Sequence, residues 1–453
     1  PTLSAVGGIL TDGSANITEW SLISYLIRLN YNYDSRYYVT ASLRTDGSSR
    51  FGSDRKYGLF PSVALAWRIS DEEFLKDVSF LSELKLRTSY GETGNNNIGN
   101  YQQYATINYD RYVLNNAAVS GFSPAQLSNP LLTWETQRAF NVGFDASLFD
   151  RRVNVTLDYF KSKNTNLLLN VNIPAITGFS NTLKNIGEVQ NTGLEFTVSA
   201  INVQSANFQW STDLNISTYK NRVNKLGPSG DPIYAAANVT MVGRPIGMFY
   251  GFLTNGVYLN QADVDRSPIF GAGTAVASRP GDMKYVDVNG DGKIDNNDQT
   301  IMGNPYPDFY YGMTNRFSYK RLSLSVSLQG TQGNEVLNMS AIGQMNTRGN
   351  RVNQLASHRN YWKSESDPGD GKTPRPNDAV TGNNRGISQR YLDTGSFLRF
   401  TNMTLAYIFS DAFASRIGLK SGRVFVNATN AITISKNVVS FNPDVSNSGS
   451  PLN

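Results

Sequence analysis

Apolar and polar residues alternate along most of this chain, and the segment 309–329 shows the pattern most clearly. In its second half, leucine or valine occupies every even position from 322 to 328, whereas serine or glutamine occupies every odd position from 323 to 329. A period of two is typical of a β-strand, because successive side chains point to opposite faces. Lys320 and Arg321 leave room only for a tight turn between the two halves. The segment therefore predicts a β-hairpin.

The same alternation recurs from one end of the chain to the other. It predicts twelve strands, around residues 25–33, 37–46, 59–70, 84–91, 140–148, 153–159, 194–200, 208–216, 309–319, 322–329, 396–409 and 423–434. No Gly/Ser-rich or Pro-rich linker divides the sequence. We therefore expect residues 1–453 to be part of one domain.

The connections between these strands differ in length. Tight turns are predicted near residues 34, 150, 205 and 320, and medium connections at 71–80 and 410–421. The segments 95–136, 167–186, 221–307 and 332–395 are rich in Gly, Asn, Pro and Asp, which favours long loops. Short turns on one edge, long loops on the other and strands of about 9–11 residues are typical of a transmembrane β-barrel.

The fold class predicted is therefore all-β, an antiparallel transmembrane β-barrel with long extracellular loops. A soluble β-sandwich or solenoid is the alternative, but it gives no reason for an apolar strand face that is almost free of charge. In the barrel, one set of residues should face lipid and another the lumen: Leu324, Val326, Val155 and Leu157 outward, and Ser325, Asp158, Arg44 and Arg87 inward. Aromatic residues such as Tyr33 and Tyr37 should lie at the membrane interface.

The amino-acid composition excludes several classes of fold and function. The 24 Tyr and 23 Phe accompany only 17% charged residues, and the mean hydropathy of −0.35 excludes a bundle of membrane helices. The net charge of +5 is spread along the chain and gives no nucleic-acid patch. Zero cysteines and a single histidine, His358, exclude thiolate and multi-histidine sites, and a surface role is favoured for His358. Neither a nucleophile elbow nor a phosphate-binding loop occurs, so an enzyme is not expected.

The number of membrane crossings that the strand directions require predicts the boundaries of an extracellular subdomain. The strands 208–216 and 309–319 should run in opposite directions, so an even number of crossings must separate them. The apolar stretch 248–259 is then unlikely as a lone barrel strand. We expect residues 221–307 to form an extracellular loop subdomain.

The sharpest local motif lies within that subdomain, at residues 287–298. Oxygen-bearing side chains recur at positions 1, 3, 5, 9 and 12 with glycine at position 6, which is typical of a calcium loop of the EF-hand type. Ile294 should anchor the loop to apolar neighbours, and Asp at position 12 replaces the usual Glu. A metal-free acidic turn is the alternative. The candidate calcium ligands are the side chains of Asp287, Asn289, Asp291, Asp295 and Asp298 and the carbonyl of Lys293.

Several blocks carry a family resemblance. They are RYYVTASLRTDGSSRFG at 36–52, GLFPSVALAWRIS at 58–70, LKLRTSYGETGN at 84–95, GDMKYVDVNGDGKIDNNDQTIMGNPYPDFYYGM at 281–313 and GSFLRFTNMTLAY at 395–407. Together they resemble the SusC/RagA family of TonB-dependent outer-membrane transporters from Bacteroidota.

The resemblance implies a 22-stranded barrel closed by an N-terminal plug, embedded in outer-membrane lipid as a multi-pass protein. It also implies import of oligosaccharides or peptides, a SusD-like surface lipoprotein that acts as a lid, and contact with TonB through the N-terminal region. We expect the plug and the last strand to be absent from this chain, whose strands would be the tenth to the twenty-first. A passive porin or a scaffolding barrel in a surface assembly is the alternative function.

Overall fold

A computed structural model describes residues 17–173, 175–179, 181–339, 341, 356–376, 383–384 and 386–436. Its strands, numbered in chain order, are β1 Leu22–Tyr33, β2 Tyr37–Ser48, β3 Tyr57–Arg68, β4 Leu81–Asn95, β5 Thr106–Leu114, β6 Ala117–Gln126, β7 Glu135–Leu148, β8 Val153–Asn172, β9 Asn181–Gln204, β10 Phe208–Lys225, β11 Ile233–Ala235, β12 Asn238–Thr240, β13 Met248–Phe252, β14 Thr254–Val257, β15 Met283–Tyr285, β16 Gln299–Gly303, β17 Phe309–Tyr319, β18 Leu322–Gln332, β19 Glu335–Leu337, β20 Leu392–Thr394, β21 Phe397–Ile408 and β22 Arg423–Ser435.

Twelve of these strands form one antiparallel sheet in the order β1-β2-β3-β4-β7-β8-β9-β10-β17-β18-β21-β22. Each predicted strand is a member of this sheet, so the prediction of strand number and of the all-β antiparallel class is confirmed. Strands β1 and β22 lie at its two ends. The apolar stretch 248–259 lies outside it, in β13 and β14, as the parity of the crossings predicts.

Tight turns set the register of the sheet along one edge. Asp34 and Ser35 between β1 and β2 both have φ of 51°. Asp150 and Arg151 between β7 and β8 also have positive φ, at 52° and 64°. Positive φ at both central residues is the hairpin turn whose twist matches that of the strands it joins. The β1–β2 ladder is accordingly unbroken from Tyr33↔Tyr37 to Leu22↔Ser48.

The remaining elements lie at the opposite edge or in the medium connections. Strands β11, β12, β13 and β16 form a four-stranded sheet, and β5-β6, β14-β15 and β19-β20 form two-stranded ones. Two short α-helices, α1 Gln261–Asp265 and α2 Asp411–Arg416, begin at Asn260 and Ser410, whose side chains accept a backbone amide hydrogen. The 3-10 helices with bounds inside the described residues are Ser53–Arg55, Ile69–Asp71, Glu73–Leu75, Ala175–Thr177, Asn296–Asp298, Ala356–Asn360 and Gln389–Tyr391. Among the described residues, no helix is both long enough and apolar enough to cross a bilayer.

Buried apolar side chains lie in the long connections and the strand extensions beside them. Four small cores occur there, around Phe249 and Tyr391, around Phe51 and Trp134, around Phe252 and Tyr285, and around Leu169 and Val223. The apolar face of the large sheet is instead exposed, with Leu65 of β3, which has neighbouring strands on both sides, at 47%. Such a face requires a hydrocarbon solvent to be stable.

Two loop predictions need correction. Residues 167–186 are mostly not a loop, because β8 and β9 continue to pair there from Leu167↔Gly187 to Asn172↔Asn181, with irregular register at Leu167. The segment 95–136 contains the β5–β6 hairpin. The expectations for residues 1–16 and 441–453 lie outside the described residues.

Candidate functional site

The register separates the side chains of the large sheet into a polar and an apolar face. Directly paired residues share a face, and the row Arg87↔Gly143↔Asp158 crosses β4, β7 and β8. Alternation along the strands places Arg44 and Ser325 on this polar face too. Leu324, Val326, Val155 and Leu157 lie on the opposite face, so the predicted division of these residues is confirmed by the pairing.

A cluster of charges marks the polar face. Arg87 donates from Nε and Nη2 to Asp145 at 2.7 and 3.1 Å, and from Nη2 to Asp158 at 3.1 Å. A second pair, Arg316 with Asp213, joins β17 to β10. Such pairs are more than a third exposed, so each contributes modestly to stability. These two guanidinium groups and three carboxylates keep the polar face hydrophilic and partner each charge with an opposite one.

Aromatic side chains follow the tight-turn edge of the sheet. Tyr37 lies 6.3 Å from both Tyr33 and Trp67, and Trp210 stacks on Phe317 at 5.7 Å. Tyr37 and Trp67 donate to Glu72 at 2.5 and 3.0 Å. These two hydrogen bonds lower the pKa of the Glu72 carboxyl. Glu72 thereby links Tyr37 and Trp67 at the tight-turn edge of the sheet.

The acidic loop 287–298 folds around its own side chains. Asp287 accepts from the backbone N–H groups of Gly290 and Gly292 at 2.6 and 2.9 Å, and Asp291 accepts from that of Lys293 at 2.9 Å. Gly290 and Gly292 both have positive φ, at 75° and 79°, which a tight loop of this kind requires. Ile294 is buried against Phe252 and Tyr285, which anchors the loop as expected.

At the far end of the same loop, the aspartate side chains accept hydrogen bonds from backbone amides of the loop. Asp298 is fully buried and accepts from Val288 and Asp295 amides at 2.9 and 2.8 Å, while the Asp295 side chain caps Asn297 at 2.7 Å. Asn289 accepts from the Asp291 amide at 2.9 Å. The side-chain atoms that could bind a metal ion here are all oxygens, which calcium prefers as ligands. However, no three His, Cys, Asp or Glu side chains among the described residues converge closely enough to hold a metal ion.

The only histidine lies inside the outer loops rather than on their surface. His358 is 3% exposed, stacks on Tyr361 at 5.7 Å, and neither ring nitrogen has a hydrogen-bond partner among the described residues. Burial lowers the pKa of its imidazole, with nearby Arg390 adding to the effect and Asp370 opposing it. The predicted surface role is therefore wrong, because an aromatic neighbour and the surrounding loops cover the ring.

The β5–β6 hairpin is a feature that the sequence analysis missed. It is joined by Asn115 and Asn116, with φ of 50° and 58°, and exposes large apolar side chains, with Phe122 at 71%. Tyr109 packs edge-on against Phe122 at 5.8 Å. The Asn-Asn pair between two alternating runs was the available signal. A two-stranded ribbon with exposed rings has the character of an interaction surface.

Comparison with known proteins agrees with this architecture. Residues 1–430 match the family model described as TonB dependent receptor-like, beta-barrel. The chain is 35% identical over 427 residues to TonB-dependent receptor P26 of Formosa agariphila, covering 92% of this chain and 42% of that protein. It is 31% identical over 446 residues to TonB-dependent receptor SusC of Bacteroides thetaiotaomicron, covering 94% and 42%. The chain thus spans less than half the length of these relatives.

A solved structure gives the same result. The RagAB peptide transporter superposes with a TM-score of 0.78 at 25% identity, over 93% of this chain and 44% of that one. The twelve-stranded sheet and its outer layer therefore have a counterpart in an experimentally known assembly.

Proposed function

The chain belongs to the TonB-dependent receptor family, as an outer-membrane β-barrel of the SusC/RagA type, and from this premise we propose that it forms barrel wall and outer loops of an importer. The cargo is an oligosaccharide or a peptide. Energy reaches the barrel through TonB, and a SusD-like surface lipoprotein closes over it. Proteins of this family are transporters and not enzymes.

One observation carries the proposal: the two edges of the sheet are built differently. Turns such as Asp34–Ser35 hold one edge to the minimum length, whereas the other edge carries folded connections with their own cores. Buried ion pairs reinforce this outer layer, as where Arg375 donates to the fully buried Asp282 at 3.0 Å. Long outer loops occur in outer-membrane barrels generally, but loops with their own buried cores and ion pairs form a preorganised surface, which favours ligand capture there. We place residues 221–307 in that extracellular layer.

The β5–β6 hairpin supports a protein partner. Exposed Ile107, Tyr109 and Phe122 share one face of the ribbon and give it an apolar surface that water solvates poorly. Aromatic anchors of this kind dominate the binding energy of protein interfaces. We propose that the lipoprotein lid rests on this hairpin.

Energised uptake tests the import proposal. Cells that produce the intact protein should take up a labelled oligosaccharide or peptide only when TonB is present and the proton gradient is intact. The control is the same strain treated with an uncoupler. Uptake that continues without TonB would instead identify a passive porin, and absence of uptake with intact surface assembly would identify a scaffold.

The acidic loop has a second proposed role. We propose that Asp287, Asn289, Asp291, Asp295 and Asp298, with the carbonyl of Lys293, hold a structural calcium ion. The support is the oxygen-only set of possible ligands, at the spacing of a calcium loop, and the positive φ of Gly290 and Gly292, which allows the loop to turn tightly. Side chains that already accept amide hydrogens keep further lone pairs for a cation. The ion would fix the loop near the outer rim and take no part in transport chemistry.

A further inference from the structure

A separate cavity of about 380 Å³ opens at the long-loop edge beside the ends of β1, β2 and β3. Its walls come from three parts of the chain: residues 19–21 before β1, residues 49–56 between β2 and β3, and residues 100–104 after β4. None of the charged, acidic-loop or hairpin residues described above lines it. The cavity is therefore distinct from the sites considered so far.

Three aromatic rings line this cavity. Trp20 remains 51% exposed although it is the largest side chain present, and Tyr101 and Tyr104 are exposed as well. Exposed rings grouped around a concave surface are what the apolar faces of sugar rings require, since they bury C–H groups against the π-system. A hydrophobic core would have covered the same rings.

The backbone holds one of these rings in a costly conformation. Tyr101 has φ of 66°, which is unfavourable for a residue with a Cβ. Its carbonyl accepts from Gln126 Nε2 at 3.1 Å, and its hydroxyl accepts from the Glu19 amide at 3.1 Å. The first contact ties the Tyr101 backbone to the end of β6, and the second ties its phenol to the wall segment before β1.

Two cations complete the cavity. The Arg50 guanidinium lies 4.4 Å from the centre of the Trp20 ring, and it donates from Nε to Asn100 at 2.9 Å and from Nη1 to the Asn96 carbonyl at 3.1 Å. Lys56 contributes an exposed ammonium. Within the described residues, the ion pairs include neither Arg50 nor Lys56. Glu19 is the one carboxylate of the lining, so cations exceed anions there.

We propose that this cavity binds an acidic carbohydrate, in which Trp20, Tyr101 and Tyr104 contact the sugar rings and Arg50 with Lys56 binds the carboxylate or sulfate group. Arg50 is held rigid by the Trp20 ring and by two hydrogen bonds, so little side-chain entropy is lost when an anion binds. The inference deepens the proposed import function and rests on it, because it assigns the cavity to cargo at the outer surface.

Direct binding to the intact protein in nanodiscs tests the proposal. The probes are a galacturonic acid trimer, a sulfated galactose trimer and a neutral galactose trimer, measured by calorimetry at low and high salt. Both acidic sugars, or one of them, should bind more tightly than the neutral one, and added salt should reduce this preference. The two acidic probes distinguish a carboxylate from a sulfate as the recognised group.

Three substitutions test the charge of Arg50 and the ring of Trp20 separately. Arg50→Gln should weaken acidic-sugar binding by about tenfold or more and leave the neutral sugar unchanged. Trp20→Ala should weaken all three sugars. Arg55→Gln removes the same charge from an exposed neighbour outside the cavity, so it should change nothing.

The outcomes also separate this site from the import function. Equal affinity for acidic and neutral sugars, tighter binding of an aspartate-containing tripeptide, or equal effects of Arg50→Gln and Arg55→Gln would each overturn the proposal. Binding that follows the expected pattern without TonB-dependent uptake would support the cavity and overturn import. Energised uptake of other cargo without sugar binding would overturn the cavity and leave import standing.

Discussion

Arg87 on β4 and Asp158 on β8 are hydrogen-bonded to each other at 3.1 Å, although β7 lies between their strands. Gly143 of β7 is paired with both residues, and its missing side chain leaves the space that the bond occupies. Arg87 also binds Asp145 on β7 at 2.7 Å. One guanidinium therefore links three adjacent strands across the polar face.

Gly143→Ala should break this link. A Cβ at Gly143 would lie 2.1 Å from a carboxylate oxygen of Asp158 and 2.5 Å from the Leu157 carbonyl, so both side chain and backbone must move. We expect a loss of roughly 1–3 kcal/mol in the free energy of unfolding, measured by urea titration in lipid vesicles. Gly121→Ala is the matched control, since its Cβ would meet only the Asp110 carbonyl at 3.5 Å. Equal stability of the two variants would contradict the role of Gly143.

The apolar face should reject charge. Val326 lies on β18 opposite Met403 of β21, on the face that we assign to lipid. Val326→Arg should lower the free energy of unfolding in a bilayer by roughly 2–4 kcal/mol if the residue lies near the midplane. Ser325→Arg, one residue away on the polar face, is the control and should have a small effect. A larger loss for Ser325→Arg would reverse the assignment of the faces.

The sequence predicts the twelve-stranded sheet well because the two faces of each strand lie in different environments, one apolar and one polar. In β18, leucine or valine alternates with serine at every position from 322 to 328, and no other secondary structure satisfies that order. Tight turns such as Asp34–Ser35 then determine which strands pair. Fold class and neighbour order follow from these two local signals.

The outer layer was less predictable because its contacts are long-range. β8 and β9 continue beyond the alternating region, where Leu169 and Val189 pack in a small core with Val223. The Phe252 amide bonds the Ile387 carbonyl at 2.9 Å, more than a hundred residues away in sequence. The acidic loop, by contrast, was recognisable since all its ligand candidates lie within twelve residues. The cavity at the long-loop edge beside β1, β2 and β3 has no local sequence motif, because its three wall segments are far apart in the chain.

Calcium should protect the loop 281–304 from hydrogen exchange. Replacing Asp287 and Asp291 by alanine removes two carboxylates that bind the loop's own amides and, as proposed, the ion. In the unsubstituted protein, a chelator should increase exchange in this loop and leave the strands unchanged. In the variant, exchange should already be high and insensitive to chelator. Identical exchange of the unsubstituted protein with and without chelator would identify a metal-free acidic turn.

The buried His358 should make the outer loops sensitive to acid. Burial lowers the pKa of its imidazole below the ordinary value of 6.5, so the folded loop binds fewer protons than the unfolded one. The stability contribution is complete above the unfolded pKa and is lost as the pH falls below it. The opening equilibrium of residues 356–376, measured by hydrogen exchange after correction for the pH dependence of the intrinsic exchange rate, should therefore rise as the pH falls from about 7 to 5. His358→Phe keeps a ring against Tyr361 and removes the titration, so its profile should be flat; a profile that still rises would assign the acid sensitivity to another group.

The exposed rings of the β5–β6 hairpin should determine how tightly the lipoprotein lid binds. Tyr109→Ser and Phe122→Ser together remove two exposed rings that pack on each other on one face of the hairpin, and the paired backbone of β5 and β6 should persist. Because aromatic anchors commonly contribute about 2 kcal/mol or more each, the dissociation constant for the lid should rise by at least roughly tenfold. The measurement is co-purification and interferometry of the intact protein with the lipoprotein produced beside it. Tyr234→Ser, at another exposed tyrosine of the outer layer, is the control. Unchanged lid affinity in the hairpin variant, with the control behaving alike, would place the lid elsewhere on the outer loops.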